Sequence, residues 1–326
     1  LLNNELFIRL AAIVPASISM YVVFLIGKEI ANEKVGLISV LLYNLSFYGL
    51  VISGTFILPD APLVLFWLLS FYFFLKSIFK IPEEVNILYL LLAFFFCGLA
   101  IYSKYQAVYL LFGVGLYVLF YNRTWLKKSI FYFFFLIPLF FVAVIFYWNF
   151  QNDFISFTFH NDRVSFFQLK FNHNSFLREL FGQIFYNNPF VFFLIVFMLI
   201  SFFRKRFVIN RRLMQFFLVF SLPLIFTTIY LSISRNTLPH WSGISYLTLI
   251  PLGALYISKG EKIIPRLQYG LVSLSVILMM AILVINKGWF LPASQSEEPQ
   301  RLGKKDVLMD LYGWQQAREK LKPILM

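Results

Sequence analysis

Charge is what this sequence has least of. Only 13% of its 326 residues are Asp, Glu, Lys or Arg, against about a quarter in a soluble domain. Acidic residues are the scarcer sign, 15 against 28 Lys and Arg. The single cysteine, Cys97, lies in an apolar run and excludes a disulfide framework. The three histidines, His160, His173 and His240, lack the mutual spacing of a metal-ligand set. No Walker loop, dinucleotide-binding glycine pattern or zinc-protease motif occurs. These absences argue against soluble nucleotide chemistry and against a resident metal or cofactor.

Apolar residues fill the space that charge leaves. The chain is 60% hydrophobic and 21% aromatic, with a mean hydropathy of +0.78. A soluble domain of this length could not bury so much apolar surface, so lipid is its natural solvent. Measured against the ~20 residues that span a bilayer, ten runs emerge. They cover about 7–27, 36–57, 61–79, 87–103, 105–121, 129–148, 189–203, 213–233, 242–258 and 267–286. Pro15, Pro138, Pro223 and Pro251 fall inside runs, which membrane bundles tolerate. The expected fold is an all-α polytopic membrane bundle of about ten transmembrane helices over 1–286. No internal repeat is visible.

The basic residues have a pattern. Fifteen Lys and Arg fall in one alternating set of connections, including Lys28, Lys76, Lys128, Arg204, Arg211 and Arg266. The opposite short connections hold Lys104 and Arg235, with Arg9 near the start. The positive-inside rule makes the first set cytoplasmic. The net charge of +13 is thereby read as topology, with no nucleic-acid partner. The external side receives the Pro59-Asp60 turn, the Lys104 turn, a loop at 149–188, the Arg235–Trp241 turn and a tail at 287–326. All three histidines fall there.

Within the loop, Phe176, Leu177, Leu180, Phe181, Ile184 and Phe185 recur at helical spacing, with Arg178, Glu179 and Gln183 between them. Two readings stand open: a helix lying in the membrane interface, or one packed on the bundle.

Several external residues could carry chemistry. Asp60 sits at a helix entrance, as a simple N-cap or as a site carboxylate at the hydrocarbon edge. Lys104 either snorkels toward headgroups or offers a compact cation to a lipid-linked phosphate. Arg235, His240 and Trp241 share one turn that could hold phosphate and stack a sugar, or merely form an interfacial belt. Tyr147-Trp148-Asn149 through His160 and Arg163 could line a cleft or be solvated loop.

In this order these segments resemble the membrane-embedded glycosyltransferases of family 39, which include protein O-mannosyltransferases and the lipid A aminoarabinose transferase. The matching segments are Asn4-Glu5-Leu6-Phe7-Ile8-Arg9-Leu10, Leu58-Pro59-Asp60-Ala61-Pro62-Leu63, and Gly98-Leu99-Ala100 to Ser103-Lys104-Tyr105. Trp148-Asn149 with Ile155-Ser156-Phe157, Leu238-Pro239-His240-Trp241 and Leu311-Tyr312-Gly313-Trp314 complete them.

The resemblance implies a C-type glycosyltransferase fold and inverting sugar transfer from a polyprenyl-phosphate donor to a lipid, glycan or protein acceptor. The transfer would face outward from a bacterial inner membrane. Asp60 becomes an acidic site residue; Lys104, with Arg235 and His240, faces the donor phosphate. Tyr105, Asn149, His160, Arg163 and Trp241 line the cleft. A monophosphate leaving group needs no obligatory metal. The family's principal carboxylate lies in a first external loop, upstream of Leu1, so the expectation is an N-terminally truncated chain, inactive as it stands. A transporter or flippase of lipid-linked glycans is the alternative; it needs polar groups deep in the bilayer, whereas here they cluster at helix ends.

Overall fold

The computed structural model describes residues 5–80, 82–158 and 171–287. Residues 1–274 form one compact unit, and a second unit starts at Ser275 within the last described helix. The expected loop residues His160 and Arg163 and the tail beyond Lys287 lie outside the described residues.

The described residues are helical, and each of the ten apolar runs forms helix. In chain order they are α1 (Glu5–Ile30), α2 (Glu33–Leu45), α3 (Asp60–Lys76), α4 (Ile87–Ser103), α5 (Val108–Tyr121), α6 (Ser129–Gln151), α7 (His173–Tyr186), α8 (Pro189–Phe203), α9 (Arg211–Ser232), α10 (Gly243–Ser258) and α11 (Ile263–Lys287). Four stretches are long and apolar enough to cross a membrane unaided: Phe7–Ile30, Ser129–Gln151, Arg211–Ser232 and Ile263–Leu283. Other runs are shorter or broken. The run at 36–57 holds the 13-residue α2 and then a π-helical turn at Tyr48–Ile52.

Asparagine starts many of these helices. Asn32, Asn86, Asn172, Asn188 and Asn210 each accept a bond from a free N–H of the helix that follows, as the geometry of an N-cap favours. A cap side chain matters more in hydrocarbon, where no water meets an orphan N–H.

α10 is the centre of the bundle, buried along nearly its whole length and packed on α2, α8 and α9. Trp67 on α3 donates to Thr248 of α10 at 2.9 Å, which satisfies both buried polar groups. Phe71 lies among Phe216, Phe217 and Phe220 of α9, with centroids 4.9–5.3 Å apart. The outer surface is apolar too. α6 exposes Phe133, Leu136, Phe140 and Phe146. An exposed apolar face of that length is suited to lipid rather than water.

α7 and α8 meet at 97°. The hinge is Asn187-Asn188, both buried. Asn188 takes the left-handed backbone region at φ 64°, which Asn tolerates better than most residues. Its Nδ2 donates to the Leu45 and Gly270 carbonyls at 2.9 and 3.0 Å.

Of the two open readings of α7, the structure shows the helix packed on the bundle. Its buried side chains are Ser175, Glu179 and Gln183, one polar stripe at four-residue spacing. Its Phe181 and Phe185 are exposed. The helix therefore packs on the bundle through polar groups and turns Phe181 and Phe185 outward.

Candidate active site

Three separate elements build the site. The turn Thr55–Pro59 delivers Asp60 as the first residue of α3. α4 ends at Lys104, whose extended backbone (φ −159°, ψ 131°) caps the helix. The π-helical turn supplies Tyr48.

Their side chains converge on one carboxylate. Asp60 is 1% exposed. Lys104 Nζ donates to Asp60 Oδ2 at 2.8 Å and Oδ1 at 3.0 Å. Tyr48 Oη donates to Oδ1 at 2.9 Å. The tyrosine ring reaches this position over Gly243, at the start of α10. A Cβ there would meet the ring at 2.4 Å, so glycine allows the close approach. The N-cap reading of Asp60 does not hold: Pro59 occupies that position and no side-chain cap bond forms. The snorkelling reading of Lys104 does not hold either, since its ammonium turns inward onto Asp60.

His240 stands beside this pair, on the short 3₁₀ turn Pro239–Ser242. Burial pushes its imidazole down to about 4; the Lys104 cation adds to the effect and Asp60 opposes it. The ring is therefore neutral at physiological pH, with a donor and an acceptor nitrogen to offer. Tyr186 of α7 lies 6.0 Å away, ring to ring. Trp241 joins the same wall, where its carbonyl accepts from Gln106 Nε2 at 3.3 Å.

A second group forms where α6 leaves the bundle. Asn149 is fully buried and its Oδ1 accepts from the Ser156 hydroxyl. Ser156 in turn meets Tyr105 Oη at 3.0 Å. Asp153 and Phe154 between them hold left-handed φ angles of 52° and 53°, stabilised in part by a Phe154 N–H bond to the Asn149 carbonyl at 2.8 Å. Tyr105 directly follows Lys104, so the Asn149 group and the Asp60 group share one turn.

The Arg235–His240 segment is anchored to α7. Ser175 Oγ donates to the Arg235 carbonyl. Arg178 donates to the Thr237 carbonyl at 3.0 Å. The Thr237 hydroxyl donates to Glu179 Oε2 at 2.6 Å. Glu179 Oε1 accepts from Gln183 Nε2 at 2.9 Å, and Gln183 Oε1 accepts from Tyr246 Oη at 2.6 Å. Arg235 itself is half-buried.

The structure thus unites Asp60, Lys104, His240 and Trp241 around one rim, with Tyr105 and Asn149 adjoining. Sequence reasoning missed Tyr48, Gln106 and the buried Glu179 network. Tyr48 is one of 18 tyrosines and carries no local signal. The spacing of Ser175, Glu179 and Gln183 was visible but ambiguous, since a polar stripe facing water and one facing a polar core look alike.

Residues 1–148 match the family model described as dolichyl-phosphate-mannose-protein mannosyltransferase. That stretch holds Tyr48, Asp60, Lys104 and Tyr105. No curated protein matches the sequence. Among solved structures, the fold is similar to that of ArnT from Cupriavidus metallidurans bound to undecaprenyl phosphate. The TM-score is 0.63 at 13% identity, over 89% of this chain and 53% of that one. The apo form of ArnT from the same organism gives a TM-score of 0.56 at 14% identity, over 88% and 51%. The chain therefore spans about half the length of the solved structures it matches.

Proposed function

We propose that this chain, whose residues 1–148 match the family model described as dolichyl-phosphate-mannose-protein mannosyltransferase, is a membrane-embedded lipid-linked-sugar glycosyltransferase of family 39. The donor is a sugar on a polyprenyl phosphate, and the reaction faces the non-cytoplasmic side. The observation that carries this reading is the buried Asp60 carboxylate clasped by Lys104 at the bundle rim.

The chemistry follows from that clasp. The sugar's C1–O bond to phosphate breaks, and the electron pair leaves with the polyprenyl phosphate. A cation near the departing phosphate stabilises that charge. Lys104 is placed for it: its ammonium holds Asp60 at rest and its side chain is 21% exposed, so an arriving phosphate can share it. The acceptor hydroxyl forms the new bond to C1 on the opposite face and gives up its proton. Asp60 is placed to take that proton or to orient the group that does. Neutral His240 can donate a hydrogen bond to a phosphate oxygen without competing for the proton. Inversion at C1 is the expected stereochemistry.

The fold similarity to a protein crystallised with undecaprenyl phosphate supports a polyprenyl-phosphate donor here. The fifteen Lys and Arg at the opposite helix ends support the outward placement.

The test is sugar transfer from polyprenyl-phosphate-linked sugars by the purified protein. Asp60→Asn and Lys104→Ala should each lower turnover by about 100-fold or more. Full activity in both variants would remove the pair from the mechanism. Lipid translocation by reconstituted protein, with no sugar transfer, would replace the enzyme reading with that of a flippase.

A further inference from the structure

At the end of the bundle away from Asp60, a groove of about 590 Å³ opens between α8, α10 and α11. That volume is typical of a small-molecule site. Its wall is the apolar stripe Phe193, Leu194, Phe197 and Ile200. Its mouth carries Arg204, Arg206 and Arg266. Ser201, about one helical turn before Arg204, bonds to Tyr256 across the groove at 3.0 Å.

The three arginines share one groove, whereas several other basic residues at this end have partners of their own. Lys28, Lys76 and Lys128 are paired with Glu33, Glu29 and Glu83 at 2.7–3.3 Å. Arg123 donates to the Leu119 carbonyl and Lys259 to the Val208 carbonyl, at 2.7 and 2.6 Å. No described acceptor takes the guanidinium of Arg204, Arg206 or Arg266. Arg266 lies over Gly260, where even a Cβ would stand 2.4 Å from its Nη1, so glycine keeps the guanidinium's place open. A second groove, about 620 Å³ between α2 and α11, has Lys34 and Glu261 at its edge. Its charges balance; those of the first groove do not.

We propose that the Arg204–Arg206–Arg266 groove binds an anionic phospholipid of the surrounding bilayer. One acyl chain lies along α8, against Phe193, Phe197 and Ile200. The phosphate takes the guanidiniums, which suit phosphate oxygens through paired N–H donors. The Ser201 and Tyr256 hydroxyls stand within reach of the polar region between chain and headgroup. Topology alone explains cations at this end. It does not explain three acceptor-less guanidiniums around one apolar groove.

The experiment is native mass spectrometry of the purified chain in detergent. Phosphatidylglycerol and phosphatidylcholine with identical acyl chains are added at equal concentration. Phosphatidylglycerol should be retained about tenfold more. The triple variant Arg204→Gln/Arg206→Gln/Arg266→Gln should lose that preference. Arg123→Gln/Lys127→Gln/Lys128→Gln removes the same charge from the same end and should keep it. Should the triple variant fold poorly, Arg266→Gln alone, at an exposed position, should lower retention about threefold. Equal loss in both triple variants means diffuse attraction and overturns the site. Displacement by millimolar glycerol phosphate means a bare anion site and overturns the lipid. Equal retention of both lipids overturns the proposal outright.

Discussion

Asp60 and Glu179 are both buried carboxylates on the same side of the bundle, and their surroundings are opposite. Asp60 faces an ammonium that is itself part-exposed, a tyrosine hydroxyl and a neutral histidine. Glu179 is fully buried and, among the described residues, accepts from the neutral donors of Thr237 and Gln183. The first arrangement leaves a charge that an incoming ligand can rearrange. The second closes every bond on itself and ties α7 to the turn carrying His240. Burial of a carboxylate is therefore no guide to chemistry; the exposure of its partners is.

Exchange of the carboxylates for amides would break that contrast most sharply. Asp60→Asn should cost about 10²–10⁴-fold in turnover with little change in thermal midpoint. Glu179→Gln should leave turnover within about threefold, because the Thr237 hydroxyl can turn from donor to acceptor. Equal losses in both would erase the distinction.

Next in size is the removal of one partner. Lys104→Met leaves Asp60 with one neutral donor in a site nearly closed to water. It should destabilise the protein by about 3 kcal/mol, read as a lowered midpoint in detergent. Adding Asp60→Asn to Lys104→Met should recover part of that loss. If the single variant melts like the parent, the pair is solvated and the geometry above is wrong.

Glu179→Leu should cost about 1–3 kcal/mol, since it orphans Thr237 and Gln183. KM for the donor should rise with it, because the His240 turn loses its tether. A drop in stability with KM unchanged would confine Glu179 to a structural role.

The smallest effect is a pH dependence. His240 is held near 4 in the folded protein against an ordinary 6.5. Between those values the unfolded chain binds a proton that the folded one refuses. Stability should fall as pH drops from about 6.5 toward 4, with no contribution from this group above 6.5. The midpoint of His240→Gln should fall less over the same window. Parallel curves would show that His240 is solvated.

Much of the bundle was legible beforehand. Ten apolar runs marked ten helices because the bilayer length is a one-dimensional constraint. Asp60 and Lys104 stood out because a charge between apolar runs is costly wherever the chain goes. The face of α7 was not legible. Ser175, Glu179 and Gln183 alternate with phenylalanines in either orientation, and only the presence of Thr228, Thr237 and Tyr246 across the interface sets which face turns inward. Tyr48 was hidden for the same reason.

The sequence by itself determined that the chain is helical, that it belongs in lipid, and which helix ends carry charge. Those properties depend on hydropathy and spacing, which are local. The tertiary structure alone decided that Lys104 turns onto Asp60 instead of toward headgroups, that Tyr48 joins them over Gly243, and that burial keeps His240 neutral. These depend on distances between residues 12 or more positions apart in the chain, and on shared burial, which no single segment encodes. The scarcity of charge gains its meaning there: with so few carboxylates, the buried one that meets a cation among the described residues marks the candidate site.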